Sequence, residues 1–330
     1  MQRTARAFWL RSPGHGEIRP APLNGPAAGE VLVRTRYSGV SRGTETLVFR
    51  GGVPESQHAT MRAPFQDGDF PGPVKYGYLN VGRVEEGPPE LLGRTVFSLY
   101  PHQTRFVVPA SAVTPVPDTV PAHRAVLAGT VETAVNALWD AAPMIGDRIA
   151  VVGAGMVGCS VAALLNRYPG VRVQLVDADP EKAGIAEALG VDFALPEKAA
   201  DGLDLVVHAS ATEAGLARSL ELLDPDGTVL EMSWYGDRRI SLPLGEAFHS
   251  RRLVVRSSQV GAVSPARRSR RTYADRLALS LDLLADPAFD ALITGECAFD
   301  ELPAVMPRLA SGDLPALCHR VRYDDAENPV

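Results

Sequence analysis

Lys75, Tyr76 and Tyr78 crowd around Gly77 in the stretch KYGYLNVG (75–82). A phenol or hydroxyl within hydrogen-bond reach of a substrate oxygen can move a proton, and a cation beside a phenol lowers its pKa. Thr44 and His102 can also pass or take a proton, so Tyr78, Tyr76, Lys75, Thr44 and His102 form the candidate acid–base set. If the stretch is one strand, residues 76 and 78 share a face and Lys75 lies on the other, which separates Lys75 from Tyr76. His249 and Arg251, with Lys75, His102 and Arg105, make a candidate basic rim for an anionic small molecule. His208, in DLVVHAS, reads as a core histidine satisfied by hydrogen bonds.

A second chemistry is written in VVGAGMVG. Gly153, Gly155 and Gly158 form a G-x-G-x-x-G, a weak pattern alone, but it follows an apolar strand, opens a helix, and precedes an acidic residue at the end of the next strand, Asp177. The first glycine permits a tight turn, the second lets a pyrophosphate approach the backbone, and the third brings helix and strand together. The helix N-terminus, with the N–H groups of Met156 and Val157, offers partial positive charge to phosphates. Asp177 can accept from both ribose hydroxyls and repels a 2′-phosphate, which selects NAD(H) over NADP(H). Ser210, at the end of the third strand, joins the candidate cofactor contacts.

The elements that must position these groups fall into two textures. The first 120 residues are rich in Pro and Gly, and EVLVRTRYSGV, NVGRVEEG, RTVFSLY and RFVVPASAV read as strands joined by turns. From Pro121 the pattern becomes helical, then alternates: RIAVV, VRVQLVD, DLVVHAS and GTVLEMSW are strands, each followed or preceded by a helix, and LVVRSSQVG (253–261) reads as a last strand. Continuous apolar strands between helices imply a parallel sheet covered on both faces. The expected fold class is therefore α/β, with a Rossmann doubly wound domain over 121–262 and a β-rich domain built from 1–120 and 263–330, the latter including a long helix near 272–285.

Composition bounds the function. With 330 residues the chain exceeds one typical core, and its net charge of -6 excludes phosphate neutralisation as a binding mode, so no nucleic-acid partner is expected. The arginines of RRLVVR and RRSRR read as solvated faces. Three scattered cysteines, Cys159, Cys297 and Cys318, fit neither a disulfide framework nor a metal knuckle and suit a reducing, cytoplasmic setting. The apolar run Ile149–Leu165 is interrupted by glycines and reads as strand into helix, so no membrane span is expected.

The order of SGVSRGTE (38–45), GYLNVGRV, TVETAVNAL, the glycine-rich unit and ALITGECAFDELPAVMPRLASG resembles the medium-chain dehydrogenase/reductase superfamily over nearly the whole chain. The resemblance implies a GroES-like catalytic domain, a Rossmann domain, and alcohol dehydrogenase-like hydride chemistry. Zinc-dependent members of that superfamily carry a cysteine in G-[IV]-C-x-[ST]-D, a His and Glu in G-H-E, and a further Cys or Glu before the interdomain helix. Here those positions hold Ser41, then Tyr78 and Leu79, then Gly129. None is a thiolate, imidazole or carboxylate, so no zinc is expected. The resemblance also implies a proton-passing role for Thr44, a place against the nicotinamide for Thr133, a pyrophosphate contact for Arg42, and a homodimer or homotetramer paired through edge strands of the Rossmann sheet. SGVSRGTE is further similar to the variant motif of the bacteriochlorophyllide hydroxyethyl dehydrogenase branch.

The leading expectation is a zinc-independent NAD(H) oxidoreductase interconverting a secondary alcohol and its ketone, with Tyr78 as proton donor and Thr44 assisting. A quinone or enoyl reductase acting on an activated C=C bond, and a non-catalytic dinucleotide sensor, are the alternatives; the former usually prefers NADPH, against Asp177.

Overall fold

The structure, a computed structural model, describes residues 3–323, so the expected domain limits at residues 1 and 330 lie outside the described residues. The chain opens with β1 (Arg3–Ser12), β2 (His15–Leu23), β3 (Glu30–Ser41) and α1 (Arg42–Phe49). Short strands follow: β4 (Asp67–Gly68), β5 (Val74–Lys75), β6 (Asn80–Glu86), β7 (Thr95–Ser98), β8 (Arg105–Pro109) and β9 (Thr114–Pro115). After α2 (Ala128–Ala141) comes the alternating part: β10 (Arg148–Val152), α3 (Met156–Leu165), β11 (Arg172–Val176), α4 (Ala183–Ala188), β12 (Asp192–Ala194), β13 (Leu203–His208), α5 (Glu213–Glu221), β14 (Leu223–Glu231) and β15 (Val254–Ser257). The chain then forms α6 (Tyr273–Leu283), β16 (Ile293–Ala298), α7 (Leu302–Ser311) and β17 (Cys318–Arg322).

Two compact units result. The first takes the described residues up to 129, with 281–285 and 293–323; the second takes 130–280 and 286–292. The second unit holds a parallel six-stranded sheet in the order β12-β11-β10-β13-β14-β15. That is the doubly wound order, with its reversal between β10 and β13. Its inner strands are apolar throughout because helices cover both faces: Ile149, Ala150 and Val151 are fully buried. The run Ile149–Leu165 is strand and helix, and among the described residues no helix is long and apolar enough to cross a membrane.

The first unit is antiparallel for the most part. One sheet runs β2-β1-β5-β4; the other runs β16-β17-β3-β6-β7-β9, with β8 also on β3. The twelve residues of β3 form its spine, pairing with β17, β6 and β8. β17 brings the chain's return segment into this sheet, so the unit is assembled from both ends of the described chain.

Three expectations are corrected. KYGYLNVG is not one strand: β5 ends at Lys75 and β6 begins at Asn80. Gly77, at φ +126°, breaks the extension in a conformation that other residues rarely adopt. Segment 263–280 belongs to the Rossmann-type unit. The reason is Arg276, buried in α6, whose guanidinium donates to Glu132 Oε1 at 3.0 Å and to Asn136 Oδ1 at 2.6 Å on α2. Residues 121–129 fall in the first unit, where the turn 125–127 packs on β3 and β6 and Arg124 donates to Leu284 O at 3.2 Å.

Candidate active site

In the β-rich unit, the break at Gly77 shapes the site. A Cβ added at Gly77 would lie 3.0 Å from the His102 ring, so the glycine is what admits that imidazole. His102 is almost fully buried, and its Nε2 lies 2.8 Å from Glu45 Oε2. The other carboxylate oxygen accepts the Ser41 N–H at 2.8 Å. Nδ1 of His102 lies 2.7 Å from Ser38 Oγ, and Ser38 Oγ lies 2.9 Å from the Tyr323 hydroxyl. A carboxylate only accepts, so His102 donates from Nε2 and accepts at Nδ1; Tyr323 then donates to Ser38, and Ser38 to His102. The result is a buried wire of hydrogen bonds.

Tyr78 stands beside this wire, half-buried, near the Ser41 and Thr44 side chains. Burial pushes its phenol up to about 12, and the Glu45 carboxylate adds to that; the two hydroxyls pull the other way. Tyr78 is therefore a neutral proton donor at physiological pH. The Tyr76 ring meets it edge to face at 6.1 Å, and burial holds its phenol well above the ordinary value.

Lys75 does not act on either phenol. Its ammonium donates to Gln103 Oε1 at 3.0 Å, lies 3.8 Å from Asp67, and sits over the Tyr100 ring. Burial lowers its pKa against the pull of Asp67. Arg105 is likewise paired with Glu85 at 3.1 Å. Arg42 is exposed at the start of α1.

The positions that the resemblance matches to zinc ligands do not fit a metal. Leu79 is fully buried, and a Cβ at Gly129 would lie 2.6 Å from its Cδ2, so an apolar side chain fills the room a ligand at 129 would need. The neighbouring thiol, Cys318, is pushed up to about 12 by burial and by Glu45.

In the Rossmann-type unit, Gly153 adopts φ +109°, and a Cβ there would lie 2.6 Å from the backbone nitrogen of Ser210. A Cβ on Gly158 would collide with the Gly153 carbonyl, while one on Gly155 would meet nothing within 4 Å. That open space lies before the first turn of α3, whose N–H groups have no intrahelical acceptor. These residues fit a dinucleotide pyrophosphate. Asp177 braces the loop by accepting the Ala154 N–H at 2.7 Å, and its second oxygen accepts the Asp179 N–H at 2.9 Å. Both oxygens keep a lone pair for ribose hydroxyls. Thr133 lies partly buried in α2.

Arg251 is placed away from this loop. It donates to Leu223 O at 3.0 Å, at the start of β14, whereas the glycine loop lies at the opposite ends of the parallel strands. The paired stretch of β13 between the two ends, Leu203 to His208, spans on the order of 17 Å. His249 is exposed two residues earlier. Of the residues expected to form a basic rim, Lys75 is engaged by Gln103 and Asp67, and Arg251 lies at the start of β14, away from the glycine loop.

Sequence reasoning missed Glu45, Ser38, Tyr323 and Glu231. Glu45 had a signal, being the acid one residue past Thr44 in SRGTE; Tyr323 and Glu231 had none.

The NAD(P)-binding Rossmann-like domain family matches residues 151–188. A D-guloside 3-dehydrogenase of Shigella flexneri is 25% identical over 235 residues, covering 61% of this chain and 66% of that protein. The L-idonate 5-dehydrogenase of Escherichia coli superposes with a TM-score of 0.79 at 14% identity, over 98% of this chain and 99% of its own. A protein of Sinorhizobium meliloti named a putative zinc-binding dehydrogenase, bound to NADP, superposes at 0.77 with 18% identity, over 97% and 100%. The matched segments span 40%, 33% and 66% of three curated relatives. These relatives and structural neighbours are zinc-type alcohol and polyol dehydrogenases of the medium-chain dehydrogenase/reductase superfamily, and the chain has that superfamily's fold of a Rossmann unit with a GroES-like unit.

Proposed function

We propose that this chain is a zinc-independent, NAD(H)-dependent oxidoreductase that interconverts a secondary alcohol and its ketone. One observation supports the reading: Leu79 fills the room at Gly129, beside a Tyr78 whose phenol is pushed up to about 12 by burial and Glu45, at positions the resemblance matches to metal ligands. Bound nicotinamide would supply or accept the hydride. Without a Lewis acid, the substrate oxygen needs a positioned proton donor. Tyr78 supplies that proton, and Ser41 and Thr44 stabilise the phenolate it leaves and return a proton from outside. The Glu45 charge favours reprotonation, because it raises the phenol pKa.

Asp177 supports NAD(H): an incoming 2′-phosphate would meet a carboxylate. Edge strand β15, with Val254 46% and Val255 39% exposed, supports the expected pairing of two copies, and sedimentation as a monomer would reject it.

The test pairs a mutation with a metal assay. Tyr78→Phe should lower turnover of ketones with NADH by about 10²–10⁴-fold, leaving NADH affinity within about twofold. Turnover near that of the unaltered chain removes Tyr78 from the mechanism. Chain purified without added zinc should carry none; one tightly held zinc per chain refutes metal independence. Tighter NADPH than NADH binding refutes the role given to Asp177.

A further inference from the structure

Buried polar groups need partners, and in the Rossmann-type unit one set finds them in series. The Glu231 carboxylate lies 2.8 Å from His208 Nδ1 and accepts the Tyr235 hydroxyl at 3.0 Å. His208 is 0% exposed, and its Nε2 lies 2.7 Å from Ser210 Oγ. Ser210 Oγ lies in turn 2.8 Å from Thr212 Oγ1, on an exposed residue. Glu231 has no proton to give, so it holds the imidazole with its hydrogen on Nδ1, leaving Nε2 as an acceptor. Ser210 must then donate inward to Nε2. Toward solvent its lone pairs accept from the Thr212 hydroxyl at 2.8 Å and the Thr212 N–H at 3.3 Å, and an incoming donor takes the place of the longer of these.

The place of Ser210 says which donor that is. It follows β13, and its backbone packs directly on the first glycine of the dinucleotide loop. β10 and β13 flank the reversal in strand order. One nucleotide half lies over β10, β11 and β12, with Asp177 for its ribose; the other half lies over β13, β14 and β15, which Ser210 opens. Room for the series is made by Gly215: a Cβ there would collide with Ser210 Oγ and lie 2.7 Å from Thr212 Oγ1 and 2.9 Å from His208 Nε2.

We propose that Ser210 accepts a hydrogen bond from a ribose hydroxyl in the nicotinamide half of the dinucleotide, with His208 and Glu231 as positioning residues that keep its proton turned inward. A phosphate oxygen, itself only an acceptor, is refused by the same lone pair, so the group read is a hydroxyl. The inference rests on the dinucleotide reading above and adds to it a contact made by a side chain. It also predicts the effect of Glu231→Gln: the amide can donate to Nδ1, which moves the imidazole hydrogen to Nε2 and turns the Ser210 proton outward.

Calorimetric titration of the full chain with NADH, ADP-ribose and AMP tests this. Ser210→Ala and Glu231→Gln should each weaken NADH and ADP-ribose by about three- to tenfold, the effect of one neutral hydrogen bond. AMP, which lacks the second ribose, should bind unchanged. Ser210→Thr keeps the hydroxyl and should recover most of the affinity. Asp177→Ala should weaken all three ligands. Equal ADP-ribose affinity in Ser210→Ala and the unaltered chain overturns the assignment of Ser210. Equal weakening of all three ligands in Glu231→Gln shows a merely structural role and overturns the positioning role. If the unaltered chain binds none of the three, the dinucleotide reading itself fails, and this inference with it.

Discussion

Each unit buries one histidine against one glutamate at the same distance, 2.8 Å, and continues from the other ring nitrogen into two hydroxyls. The two series are built in opposite senses. In the β-rich unit Glu45 meets Nε2, and the hydroxyls of Ser38 and Tyr323 lead inward, to a tyrosine whose phenol burial raises strongly. In the Rossmann-type unit Glu231 meets Nδ1, and the hydroxyls of Ser210 and Thr212 lead outward to an exposed residue. The same pair of side chains therefore does two jobs. Closed off, it stabilises a core and sets the charge felt by Tyr78; open at one end, it aims a hydroxyl at a ligand.

Glu45→Ala should break the closed series with the largest effect. It orphans His102 Nε2 and the Ser41 N–H in a buried site, about 1–3 kcal/mol each, so a loss of about 2–5 kcal/mol is expected in denaturant unfolding. A loss below about 1 kcal/mol would mean that water replaces the carboxylate and that the series is not closed. Gly77→Ala acts on the same ring by another route, forcing a side chain into a left-handed conformation and onto the imidazole; about 1–3 kcal/mol is expected.

Alkaline pH sharpens the contrast between the units. Tyr76, Tyr78, Tyr100 and Tyr323, all in the β-rich unit, have phenols raised above their unfolded value by burial, Tyr78 and Tyr100 to about 12. Neutral phenol is then favoured by the fold, so their contribution is full below about pH 10 and is lost as the pH rises from 10 toward 12. Among the tyrosines of the other unit, Tyr235 is raised in the same sense, by burial and by Glu231. Amide exchange measured across that window should show the β-rich unit opening first; simultaneous opening would contradict the contrast. The smallest effect is expected from Glu231→Gln, about 1 kcal/mol or less of stability, because the replacement amide still bonds His208 at a partly exposed position.

The parallel sheet could be read from the sequence because burial on both faces leaves strands such as RIAVV continuously apolar. Gly153, Gly158 and Asp177 were legible because their roles are local: a turn, a close approach, the end of the next strand. The proton-handling cluster was only half legible. Tyr78 and Thr44 stood out by type, but the partner of His102 lies 57 residues away, and nothing in a periodicity reports such a pairing. The glycine in KYGYLNVG was visible, yet its sign of φ was not, and that sign turns an expected strand into a bend. Arg276 gave no signal either: nothing in the spacing of its helix tells that it anchors α6 to α2 and moves a domain limit.

The wedge of Leu79 against Gly129 has an evolutionary corollary. A carboxylate placed at 129 would strike leucine, and a ligand placed at 79 alone would be an unpaired polar group in an apolar packet, costing several kcal/mol. Each single step toward a metal centre is thus penalised before any ion can reward it.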